Sequence, residues 1–169
     1  VTWTQSTANS QWVARDSHAS VVFNQQMWVI GGIADTNACP GGITRCNDVW
    51  YSPDGITWTQ STANSQWVAR FDHTSLVFND GTNKMWVIGG SGPRNDVWYS
   101  TTGITWTQST ANAQWGARYV HSSLVIDSKM WVIGGFTTAV VNDVWYSSNG
   151  ISWTQSTANA QWAARNSPT

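Results

Sequence analysis

Apolar residues arrive in bursts of four to six, and polar or glycine-rich turns separate them. The third recurrence of the pattern is the most compact. His121-Ser-Ser-Leu-Val-Ile126 mixes polar and β-forming residues as a half-buried strand does. Asp127–Lys129 reads as a short turn. Met130-Trp-Val-Ile133 is a continuous apolar run, which predicts a strand covered on both faces. Gly134-Gly135 is expected to end it. Asn142–Ser147 predicts a third strand, Ser148-Asn149-Gly150 a tight hairpin turn, and Ile151–Gln155 a fourth strand. No segment carries the helical period.

The same four elements recur upstream. The first set is His18–Phe23, Met27–Ile30, Asn47–Ser52 and the segment at Trp58. The second is His73–Phe78, Met85–Ile88, Asn95–Ser100 and the segment at Trp106. A phrase Trp-Thr-Gln-Ser-Thr-Ala-Asn-(Ser/Ala)-Gln-Trp begins at Trp3, Trp58, Trp106 and Trp153, at spacings of 55, 48 and 47 residues. A period near 50 with fixed glycine pairs and tryptophans predicts an all-β propeller of four-stranded antiparallel blades. The blades fall at about 15–62, 70–110 and 118–157. Residues 1–14 read as the fourth strand and link of a preceding blade, with an orphan strand at Trp3–Ser6. Residues 163–169 read as the start of a following one. Three blades cannot bend into a closed ring. The expectation is therefore a homo-oligomer that completes the ring, or a segment of a longer chain.

The landmarks resemble the kelch repeat: an arginine three residues before a histidine, a glycine pair after strand two, and spaced aromatics in strands three and four. They stand as Arg15/His18/Gly31-Gly32/Tyr51/Trp58, then Arg70/His73/Gly89-Gly90/Tyr99/Trp106, then Arg118/His121/Gly134-Gly135/Tyr146/Trp153. The resemblance covers essentially the whole chain. It implies a propeller, which in that family usually has six or seven blades, and leaves several functions open. These include protein recognition, carbohydrate binding, sugar mutarotation and copper-radical oxidation. The last needs a tyrosine–cysteine pair and clustered histidines, and the only two cysteines here share one loop.

Composition narrows the functions. Net charge is −1 and charged residues make up 10% of the chain, so there is no basic excess to neutralise phosphates, and nucleic acid is not an expected partner. No apolar run approaches the roughly 20 residues of a membrane-spanning helix. No metal, cofactor or nucleophile motif is present, so a non-enzymatic function is expected. Cys39 and Cys46 flank Pro-Gly-Gly-Ile-Thr-Arg, which can fold back to join the sulfurs. Two free thiols are the other reading, and metal is disfavoured because no second cysteine or histidine pair is near. A disulfide, with the family resemblance, implies a secreted or extracellular protein.

The candidate binding residues lie in the repeated links, on the face that also carries the variable loops between strands two and three. They are Trp12, Trp67, Trp115 and Trp162, with Asn64, Asn112, Gln66 and Gln114, and with Arg15, Arg70 and Arg118 near the axis. Tryptophan rings beside amide and guanidinium donors suit a sugar or protein ligand. The competing reading makes these same residues scaffold, the tryptophans wedged between blades and the arginines bridging them. A structural, self-associating repeat protein is the alternative function.

Overall fold

The structure is a computed structural model that describes residues 2–165. Among these the protein is all-β, with three four-stranded antiparallel sheets and no helix. The first sheet runs β1 (Ala19–Phe23), β2 (Gln26–Ile33), β3 (Arg45–Ser52), β4 (Thr59–Thr62). The second runs β5 (Thr74–Asn79), β6 (Asn83–Gly90), β7 (Arg94–Ser100), β8 (Thr107–Thr110). The third runs β9 (Ser122–Ile126), β10 (Lys129–Phe136), β11 (Val140–Ser147), β12 (Thr154–Thr157). Each is a meander in chain order, and the first strands β1, β5 and β9 lie side by side.

The apolar runs form the middle strands, and both their faces are used. In β6, Trp86 and Ile88 pack toward the third sheet with Leu76, Phe78, Met130, Val132 and Trp153. Met85 and Val87 pack toward the first sheet with Phe23, Trp28, Ile30 and Trp106. Alternation along a strand sends successive side chains to opposite faces. In the second sheet the run with no polar position is therefore buried on both faces, Met85 through Ile88 being fully enclosed.

Three expectations change. The glycine pairs lie inside the second strand rather than beyond it. β2 and β10 run one residue past them and β6 ends on Gly90, each with a register shift, between Ile30 and Gly32, Ile88 and Gly90, and Ile133 and Gly135. The pair is a bulge whose task lies in the next sheet. A Cβ on Gly89 would lie 2.9 Å from His121 Cε1 and 3.0 Å from the Arg118 carbonyl oxygen, and Gly90 N–H donates to that oxygen at 2.9 Å. The Ser148-Asn149-Gly150 turn is wider than a tight hairpin, because β11 ends at Ser147 and β12 starts at Thr154. Asn149 Oδ1 accepts from the backbone N–H of Ile151 and Ser152, while Ser147 Oγ accepts from Gly150 N–H at 2.9 Å. Trp3–Ser6 forms no strand, and Trp3 is exposed; a fourth strand draws its hydrogen bonds from a third, and none of the described strands stands beside it. Of the expected following blade, residues 166–169 lie outside the described residues.

Two of the three histidines fill the joints between sheets, and His18 is exposed. His73 and His121 are buried, His121 against Gly89 and His73 against Gly31. His121 Nε2 shares a 2.9 Å hydrogen bond with Thr74 Oγ1. The position equivalent to Thr74 in the first sheet is Ala19, and both His73 nitrogens lack a partner. Burial first, and then the neighbouring guanidinium of Arg70 or Arg118, pulls each imidazole from 6.5 down to about 3. A folded-state pKa below the unfolded one means that the unfolded chain takes up protons first as pH falls. Stability is therefore expected to drop between pH 6.5 and about 3, by about 1.4 kcal/mol per pH unit for each histidine. The urea midpoint should fall clearly from pH 7 to pH 4.5. A flat midpoint over that range would contradict neutral buried histidines. The Asp96 and Asp143 carboxyls, held below the usual carboxylate range, contribute their own loss only at lower pH.

Candidate functional site

Each repeated link is held at fixed points. Asn95 Nδ2 donates to the carbonyls of Ala113 and Trp115 at 3.0 and 3.4 Å, and Asn47 and Asn142 do the same for their links. Gln66 Oε1 accepts from Trp106 N–H at 2.6 Å, and Gln114 Oε1 accepts from Trp153 N–H at 2.6 Å. The amides expected to meet a ligand thus tie the link to the outer strand of the sheet it enters. Asn64 and Asn112 are exposed.

The link tryptophans divide by position. Trp67 and Trp115 are each 1% exposed and offer no ring face to a ligand, contrary to expectation. Each packs edge-on against the strand-four tryptophan of its sheet, Trp67 on Trp106 at 6.0 Å and Trp115 on Trp153 at 5.8 Å, and leans on the following histidine. They are wedges, because a neighbouring sheet covers each of them. Trp12 is half-buried and Trp162 is 40% exposed, at the two ends of the chain.

The arginines are also committed to the scaffold. Arg70 Nη1 donates to the Gly89 carbonyl and to Asp96 Oδ1, both at 2.8 Å, and Nη2 to Asp96 Oδ2 at 2.8 Å. Trp98 Nε1 closes the network on Asp96 Oδ2 at 2.8 Å. Arg15–Asp48–Trp50 and Arg118–Asp143–Trp145 repeat it. The recurrent Asn-Asp at the head of strand three, readable as turn chemistry, is a link clamp followed by an ion-pair partner. Burial raises the Asp96 carboxyl, but the Arg70 hydrogen bond and charge, with the Trp98 N–H, outweigh it and hold the group below the usual range. Arg15, Arg70 and Arg118 each spend four of their five N–H donors on the scaffold, and their side chains are at most 1% exposed, so they do not face a ligand.

A site sequence reasoning passed over lies on the expected face. The ends of the links meet the loops between strands two and three: Asp16 N–H donates to Ile33 O, Ser91 N–H to Phe71 O, and Tyr119 and Phe136 exchange backbone bonds. Between them lies a cleft of about 360 Å³ lined by Arg45, Phe71, Pro93, Tyr119 and Phe136. Its aromatic residues are half-buried, so part of each side chain faces solvent. Arg45 lies 5.3 Å from the Phe71 ring centre, and the Tyr119 and Phe136 rings are 5.4 Å apart. The Arg94 and Arg45 guanidinium groups come within 3.6 and 3.7 Å of the Cβ position of Gly92, so both flank this turn at contact distance. Burial, and then the charges of Arg70 and Arg45 acting against Asp96, lowers the pKa of Arg94, and its Nε lacks a hydrogen-bond partner. Pro93 and Arg94 also wall a second hollow with Trp98, Gln108 and the exposed Asn112. The signal was available in the sequence. In otherwise near-identical links, the residue after the repeated arginine changes from Asp16 to Phe71 to Tyr119.

Cys39 and Cys46 are joined by a disulfide in the loop between β2 and β3, both buried with Ala34. This is compatible with an extracellular location. Among the described residues no three His, Cys, Asp or Glu side chains come together as a metal site, and no helix is long and apolar enough to cross a membrane.

Fold and site together define an all-β repeat protein: three antiparallel sheets joined through tryptophan-rich interfaces, with an aromatic, arginine-flanked cleft on the loop face. No known protein family matches the chain, and no curated protein does.

Proposed function

We propose that the three sheets are blades of a kelch-type propeller, and that the chain is a non-enzymatic, secreted recognition module. Its ligand binds on the loop face in the cleft between Phe71 and Tyr119. The observation that carries this reading is the meeting of three half-buried aromatic side chains with Arg45, and with Arg94 beside Gly92, where the residue after the link arginine and the loop between strands two and three vary from repeat to repeat. Aromatic faces cover the C–H surface of a sugar ring, and guanidinium groups pair with carboxylates in a fork. An acidic carbohydrate fits that combination ahead of a protein ligand.

Calorimetric titration with uronate-bearing oligosaccharides is expected to show binding that weakens as salt rises. Tyr119→Ala and Arg45→Ala should each weaken it at least tenfold, with the urea midpoint nearly unchanged. Absence of binding across acidic and neutral glycans would remove the carbohydrate reading. Binding insensitive to both substitutions would remove the cleft.

A further inference from the structure

The two joints inside the chain are built alike, and each end of the chain presents one half of that joint. Leu76, Phe78 and Trp86 of the second sheet are buried against the third. Their equivalents on the third sheet are Leu124, 43% exposed, Ile126, 53% exposed, and the half-buried Trp131. On the opposite side of a joint, Met85 and Met130 are fully buried, whereas their equivalent in the first sheet, Met27, is 39% exposed beside the exposed Val22 and the half-buried Trp58.

The joint has a knob and a slot. Trp28 of β2 covers Gly103 in the turn before β8, and Trp86 of β6 covers Gly150 in the turn before β12. In both cases the ring occupies the place where a Cβ would stand. Trp131 is the third knob. Gly55 is the remaining slot, and its Cβ position meets only the Met27 methyl at 3.2 Å and the Ser6 hydroxyl at 3.5 Å.

We propose that a second copy of this chain docks head to tail on these ends, with Trp131 of one copy covering Gly55 of the other. Two such junctions close six sheets, inside the range of four to eight at which propellers close; one copy falls short of that range and three copies exceed it. The contact is heterologous, so each copy donates a knob at one junction and a slot at the other. The occupant is a second copy because the exposed faces of the first and third sheets are the two complementary halves of an interface that the described residues already build twice.

The terminal links fit this arrangement by exchange. Trp3–Arg15 and Trp153–Arg165 differ only at Ser10/Ala160 and Val13/Ala163, so they compete for one place in each junction. The later link is fastened to its own third sheet. Asn142 Nδ2 donates to the Ala160 and Trp162 carbonyls at 2.9 and 3.1 Å, and Gly135 N–H to Arg165 O at 3.2 Å. It continues into the receiving copy as residues 58–70 and 106–118 continue within one chain. Arg165 then pairs with Asp48 of the other copy in place of Arg15.

Sedimentation equilibrium over a hundredfold concentration range tests the pairing. A species of twice 18.6 kDa is expected. Trp131→Glu and Gly55→Ala should each give a folded 18.6 kDa monomer with unchanged near-ultraviolet dichroism from the internal tryptophans. A wild-type chain that stays at the monomer mass, or a Trp131→Glu variant that still pairs, overturns the proposal. Arg15→Ala tests the exchange. Paired, it should keep the urea midpoint of the unaltered chain because Arg165 replaces the lost side chain. A loss equal to that of Arg70→Ala overturns the exchange.

Discussion

Asp96→Ala is expected to destabilise the chain by about 3–5 kcal/mol, the cost of stranding one member of a buried ion pair. The Arg70 side chain is fully buried, and its Nη1 and Nη2 donate to the two Asp96 oxygens at 2.8 Å. Its Nε donates to Val68 O at 3.1 Å, and its guanidinium carbon sits 5.7 Å from the Trp67 ring centre. Removing the carboxylate leaves the buried Arg70 cation without its paired charge and also orphans Trp98 Nε1. Domains of this size hold about 5–15 kcal/mol in total, so the loss is a large share of the whole. Asp80→Ala is the control. Its pair with Lys84 is a local i,i+4 contact near the surface, and such pairs are worth under about 1 kcal/mol. Urea midpoints of the two variants should differ widely. Equal midpoints would mean that the Arg–Asp–Trp network does not hold the sheet.

Gly103→Ala is expected to cost about 2–6 kcal/mol by opening the joint between the first two sheets. Gly103 has φ +76°, which strains any residue with a Cβ, and the new methyl would lie 2.6 Å from Trp28 Cη2. Overpacking costs about 1–3 kcal/mol and backbone strain about 1–3 more. The ring cannot simply swing aside, because Trp28 Nε1 donates to Phe23 O at 3.0 Å and the Tyr51 ring packs 5.1 Å away. Gly55→Ala has a similar backbone, φ +74°, and no ring over it, so in an isolated copy it should cost only about 1 kcal/mol. The difference between the two variants measures the knob-and-slot contact, free of the conformational term. Indistinguishable midpoints would show that Trp28 moves without penalty.

Strand positions were legible because alternation and turn residues act locally. Met130–Ile133 reads as a strand from four residues alone, and β10 is one, but it is covered on one face only: Met130 and Val132 are buried while Trp131 and Ile133 are half-buried. The same locality explains what was misread. The glycine pair looked like a strand stop, since the Arg118 carbonyl and the His121 ring that require glycine at position 89 belong to another sheet. Arg70 looked available to a ligand, because Asp96 lies 26 positions away. Trp67 looked like a ring for stacking, because its neighbour Trp106 lies in the next phrase of the repeat.

By itself the sequence determined the strand order, the three-fold recurrence, the link and loop face, and the two cysteines able to close a loop. Each depends on residue types within a few positions of one another, or on counting copies. Only the tertiary structure decided which repeated residues are scaffold and which remain free. Identical side chains acquire different roles when one end of the array is covered and the other is not. Trp86 is sealed over Gly150, and Trp131 carries the same chemistry half-exposed at the end of the array. Burial belongs to the neighbouring sheet, and no residue encodes it alone.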